Sequence, residues 1–107
     1  MHLNDFLSSD ERVKLRGSVT FNMSRDLHDL MITDKCVYIR SARDGDIKII
    51  RYDAISCLTI GDRDGQVNIY LGAFNNSAFI CLGISNDPAW AKTVAVCLKQ
   101  CWDEAAR

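Results

Sequence analysis

The chain has 107 residues, 48% apolar and 25% charged, with a formal net charge of −1. That length makes one domain able to bury its own core without disulfide or metal staples. The near-neutral balance excludes a global basic field for gathering nucleic acid or anionic lipid, and no apolar run approaches the roughly 20 residues of a membrane span.

The first 16 residues read as an arm or short helix ahead of a domain spanning 17–107. Leu3, Phe6 and Leu7 stand at helical spacing. Ser8 followed by Glu11 three positions later has the form of a cap. "MHLNDFLSSDERVK" lacks a basic stretch followed by a long apolar one, so a secretory signal is not expected. The expectation is a soluble cytoplasmic protein.

From Ser18 the pattern turns to strands: "SVTFNM", then "HDLMIT" and "CVYIRS" separated by Asp34-Lys35. "IKIIRY" follows, with a bend at Asp53 before "AISCLTI". In "VNIYLGAF", Val67, Ile69 and Leu71 share one face. Asn75-Asn76-Ser77 is a polar connection to a last strand, "FICLGI". Then the period changes. Asp87 is a good N-cap, and Pro88 sits at the first helical position, where a missing N–H costs nothing. Trp90, Val94, Cys97, Leu98 and Cys101 recur at three- and four-residue steps, which predicts an amphipathic helix over 87–105 docked on the sheet. The fold class is mostly β with a C-terminal α-helix.

Arg-Asp-Gly occurs twice, at 43–45 and 63–65, each time before an apolar run. Asp-Gly between alternating runs is a hairpin signal, because glycine adopts positive φ without strain. Both copies are therefore expected to join neighbouring strands. A calcium loop beginning at Asp62 would need glycine at its sixth position and a carboxylate at its twelfth, where Val67 and Ala73 stand.

No catalytic constellation is found. The two histidines, His2 and His28, have no marked companion, and His28 reads as a solvated strand-entry residue. Cys97 and Cys101 lie one helical turn apart, but a zinc site needs about four ligands, and core packing is the better account. An odd count of five cysteines with apolar neighbours argues for buried thiols rather than a disulfide framework. No phosphate loop occurs, so neither cofactor nor metal is expected. Tyr38, Tyr52 and Tyr70 are spread over three strands without a stacking motif, which argues against nucleic acid. The nearest thing to an anion patch is Arg40, Arg43, Lys48 and Arg51 around one predicted hairpin, with Arg40 facing Lys48 across it. Asp44, Asp46 and Asp53 interleave and cancel much of that field.

Antiparallel strands closed by one C-terminal helix resemble a pleckstrin-homology-like domain, in particular the small bacterial type. "LMITDKCVYIRS" is similar to the family's strand–turn–strand, and "IKIIRYDAISCLTIGD" to its next strand pair. The resemblance spans about Arg16 to the end. It implies a strongly bent sheet or partly open barrel of about seven strands capped by the helix, and binding rather than catalysis. Lipid-binding members carry a basic cluster between the first two strands. The matching stretch here, "NMSRDLHD", sets Asp26 and Asp29 beside Arg25, which argues against membrane lipid. Many bacterial members resemble interaction and oligomerisation modules.

"FICLGI" is apolar on both faces, so Ile80, Leu82 and Ile84 face either the barrel interior or another chain. The expectation is a protein-binding module, homodimeric first, using those three residues and an exchanged arm carrying Leu3, Phe6 and Leu7. One alternative is an immunity-type or phage-encoded inhibitor acting through an acidic surface at Asp62, Asp64 and Asp87. Another is an anionic headgroup binder using Arg40, Arg43 and Lys48.

Overall fold

The computed structural model describes residues 3–21, 26–63, 66–73, 76–85 and 87–105. After a 3₁₀ turn at Leu3–Phe6 come seven strands: β1 (Val13–Phe21), β2 (Leu27–Thr33), β3 (Cys36–Arg40), β4 (Ile47–Arg51), β5 (Ile55–Arg63), β6 (Gln66–Ala73) and β7 (Asn76–Ser85). One helix, α1 (Pro88–Ala105), ends the described chain. The strands make a single antiparallel sheet in the order β4-β3-β2-β1-β7-β6-β5.

The expected boundary at residue 17 falls inside β1, which begins at Val13. Alternating Lys14 and Arg16 hide Val13 and Leu15, which pair with Thr33 and Ile32. The polar connection expected at Asn75-Asn76-Ser77 is shorter, because β7 starts at Asn76; Asn75 lies outside the described residues. The bend at Asp53 is a 3₁₀ turn, Tyr52–Ala54, linking β4 to β5.

The first Arg-Asp-Gly sits in the β3–β4 connection. Gly45 has φ +77°, as the turn chemistry requires. The connection is not a two-residue turn. The Ser41 N–H donates to the Asp46 carbonyl at 2.8 Å, and the Asp44 carboxylate accepts the Asp46 N–H at 3.0 Å. The second copy joins β5 to β6, where Arg63 pairs with Gln66; Asp64 and Gly65 lie outside the described residues.

The sheet curls until both halves share one core. Leu30, Ile32, Val37 and Ile39 from one half meet Ile69, Leu71 and Leu82 from the other. Helix α1 fills the mouth with Ala91, Val94, Ala95, Leu98 and Cys101. Asp87 caps it as expected: its carboxylate accepts the Trp90 N–H at 3.0 Å. Each indole of the helix then donates to a strand carbonyl: Trp90 Nε1 to Ser18 at 3.0 Å and Trp102 Nε1 to Ile55 at 3.2 Å. One anchor holds β1 and the other holds β5.

Gly17 makes the first anchor possible. A Cβ there would stand 2.1 Å from Trp90 Cζ2. Gly17→Ala is therefore expected to cost about 1–3 kcal/mol through overpacking. Trp90→Phe removes the hydrogen bond to Ser18 and costs about 1 kcal/mol beyond its packing loss. Because the smaller ring leaves room for the methyl, the double variant should lose less than the sum of the two. Urea denaturation of the four proteins checks this cycle.

Candidate functional site

The arm does not hang free for exchange. Leu3 is buried against Met31 and Tyr38 on the outer face of β2–β3, and Leu7 packs beside it. Phe6 is the exposed member, at 36%. The segment is held by Glu11. Its carboxylate accepts hydrogen bonds from the Thr33 hydroxyl, from the Tyr38 hydroxyl at 2.7 and 2.9 Å, and from the Ser8 N–H at 3.1 Å. The Glu11 N–H returns to the Ser8 carbonyl at 3.1 Å. The capping phrase is thus satisfied, but it closes a turn before a strand rather than opening a helix. Burial works to raise the Glu11 pKa, but the donors Thr33, Ser8 and Tyr38 together pull it below the ordinary glutamate value of 4.5.

Fully buried Thr33 ties this knot to the core. Its hydroxyl also accepts the Lys35 and Cys36 N–H groups, and its carbonyl accepts the Tyr52 hydroxyl at 2.6 Å. Burial and neighbouring thiols push the Tyr52 phenol far up, so it stays protonated and donating.

The three strand residues expected at an interface point inward. Leu82 and Ile84 are buried in the main core and Ile80 packs against it. The reason is curvature: the rolled sheet and α1 together cover that face, so these side chains are spent inside the molecule.

The basic cluster dissolves as a site. Register pairs Arg40 with Ile47 and Lys48 with Ile39, so Arg40 and Lys48 stand on opposite faces of the hairpin rather than facing each other. Arg40 meets Asp29 at 3.4 Å, Arg43 meets Asp26 at 3.6 Å and Arg51 meets Asp53 at 3.1 Å. Lys48 lies over the Phe21 ring, 5.8 Å from its centroid. Exposed pairs of this kind add about 0–1 kcal/mol to stability, but they consume the charge an anion would need. Arg25 lies outside the described residues.

His28 is buried rather than solvated. It packs on Phe21 with centroids 5.8 Å apart, and its Nδ1 lies 3.0 Å from the Asp26 carbonyl. All five cysteines are free thiols. Burial and the adjacent Cys101 push the Cys97 thiol up to about 11, far from a reactive thiolate. Among the described residues no His/Cys/Asp/Glu group is arranged to hold a metal, and no helix is long and apolar enough to cross a membrane.

The feature left is the place where the sheet fails to close. Strands β4 and β5 follow each other in the chain yet form its two edges. Between them lies a cavity of about 290 Å³, floored by Ile50, Ile55, Leu71 and Ile80 and rimmed by Ile49 and Arg51. The edges differ. Strand β4 is five residues long and carries Lys48 and Arg51, the usual guards of a strand edge. Strand β5 is nine residues long and uncharged from Ile55 to Gly61, with Ile60 half exposed at 52%. Trp102 caps its first carbonyl, and an irregularity at Ile55/Cys57 bends that end. Charge returns at Asp62 and Arg63, so the stretch from Leu58 to Gly61 is the one left without such a guard.

Comparison with protein-family models finds no match, and comparison with the curated proteins finds none either. Among solved structures, the fold is similar to that of a DUF1696 family protein with a pleckstrin-homology domain from Shewanella loihica PV-4. The TM-score is 0.64 at 11% identity, over 91% of this chain and 87% of that one. At that identity the likeness speaks to architecture, and it bears out the fold expected from the sequence: a pleckstrin-homology-like sheet, unclosed, with one C-terminal helix.

Sequence reasoning missed the β5 edge as a site because "AISCLTI" reads like any buried strand. Its edge position depends on which strands pair. The Glu11 knot had one visible signal, the Ser8-to-Glu11 phrase, but its partners Thr33 and Tyr38 are more than twenty positions away. A depressed folded-state pKa means that Glu11 contributes stability above its unfolded value and loses it as pH falls through the folded one. Glu11→Ala should cost about 1–2 kcal/mol at neutral pH. The gap between variant and wild type should narrow as pH drops below 4.5, as followed by urea midpoints across pH.

Proposed function

We propose that this chain is a non-catalytic protein-interaction module that adds strand β5 to a strand of another polypeptide, a second copy of itself first. The observation that carries the reading is the uncharged, half-apolar edge from Leu58 to Gly61. Natural sheets guard such edges with lysine, proline or a covering element, because an unguarded one templates pairing. The edge is also self-complementary. Two copies of β5 running antiparallel about Thr59 place Leu58 of each opposite Ile60 of the other, covering the exposed isoleucine. The resulting contact is isologous, as in most homodimers. A net charge of −1 offers little repulsion between copies.

The alternatives have less behind them. For a headgroup binder, Arg40 and Arg43 are already paired with carboxylates, and Lys48 lies over the Phe21 ring. For an acidic inhibitor surface, Asp87 is engaged as the helix cap, and Asp64 lies outside the described residues.

Light scattering across a concentration series tests the reading. The wild type is expected to approach twice the monomer mass. Ile60→Lys, which installs a guard on an already exposed position, is expected to remain monomeric with an unchanged circular dichroism spectrum. A wild type that stays monomeric at the highest concentration overturns the self-association reading. A dimer that survives Ile60→Lys overturns the assignment to β5.

A further inference from the structure

A second stretch of strand without a neighbouring strand lies on β1. Strand β1 joins β7 through Thr20–Gly83 and Phe21–Leu82. That register carries β1 past Ser85, the last residue of β7, so Val13–Gly17 has no strand beside it on that side. Helix α1 stands there instead. Trp90 takes the Ser18 carbonyl, which shows which way this stretch of β1 presents its backbone. Strand alternation turns the N–H and C=O of Arg16 to the same side. The open stretch spans about 16 Å, enough for a short extended peptide.

Beside it, between Lys14–Leu15 and the second half of α1, is a cavity of about 510 Å³. Its apolar lining is Leu15, Val96, Cys97 and Cys101, and Val96 is 45% exposed. Lys14 and Lys92 flank it, and among the described residues neither is in an ion pair. Lys14 is near enough to the groove floor to oppose, electrostatically, the burial that raises the Cys97 thiol. Glu104 is the one carboxylate in the lining. Lys35, Arg40, Arg43, Arg51 and Lys99 are each paired with a carboxylate, whereas Lys14 and Lys92 stand together over an apolar floor without one among the described residues.

We infer that the β1–α1 groove is a docking site for an extended acidic-apolar segment of a partner protein. The segment adds as a strand to β1 at Arg16, lowers an apolar side chain between Leu15 and Val96, and sets carboxylates against Lys14 and Lys92. Backbone pairing supplies affinity, and the alternate side chains supply selectivity. This inference stands on β1 and α1 and does not depend on β5.

The probe is a fluorescein-labelled octapeptide alternating glutamate and leucine, with a second peptide carrying lysine for each glutamate. Fluorescence anisotropy should show binding of the acidic peptide only, with amide shifts in ¹H–¹⁵N spectra at Leu15, Arg16 and Val96. Lys14→Glu combined with Lys92→Glu, both exposed and tolerable to the fold, should weaken the acidic peptide by at least about tenfold, or 1.4 kcal/mol. It should also favour the lysine peptide. Ile60→Lys should change neither result. Absence of binding, equal binding of the two peptides, or amide shifts confined to β5 would overturn the assignment.

Discussion

The structure depends on two indole N–H groups. An antiparallel sheet that rolls without closing leaves a mouth, and the mouth must be sealed by something that buries apolar surface and satisfies strand carbonyls. Helix α1 does both. Its stripe of Ala91, Val94, Leu98 and Cys101 completes the core, while Trp90 and Trp102 donate to Ser18 and Ile55. The two carbonyls belong to β1 and β5, so the helix fixes the distance between a central strand and an edge strand. Gly17 permits the approach, because any side chain there would occupy the space of the Trp90 ring.

Sealing the mouth leaves the edges. A fully closed barrel has none, whereas this sheet has β4 and β5, and in addition the part of β1 that runs past β7. These three places are treated differently. Charges guard β4. Trp90 engages β1 at Gly17 and Ser18, and Trp102 takes the Ile55 carbonyl of β5. The proposed binding roles are read from the remainders of these strands rather than from an arrangement of side chains.

The other end of the sheet is organised by polar rather than apolar contacts. Glu11, Thr33, Tyr38 and Tyr52 form a connected set in which each hydroxyl has a defined partner. It fastens the N-terminal segment over Met31 and Tyr38, covering apolar surface that the outer face of β2–β3 would otherwise present. Arg16 adds a bond from β1 to Asn4 of the same segment. The arm is consequently part of the folded unit, and Leu3 and Leu7 are used within it.

The amino-acid sequence by itself determined the local elements: alternation set the strands, glycine at position 45 set a left-handed turn, and Asp87-Pro88 set the start of a helix whose apolar stripe was legible residue by residue. Those features depend on neighbours within a few positions. Tertiary structure alone decided which faces and edges were covered. The same alternation describes Leu82 in the core and Ile60 in the open, and only the strand order β7-β6-β5 separates them. Likewise the cations around β3–β4 read as a patch until folding set Asp26 and Asp29, distant in the chain, against them. Periodicity records a residue's preference for burial, but exposure is settled by contacts between segments far apart in sequence, and no local pattern encodes those.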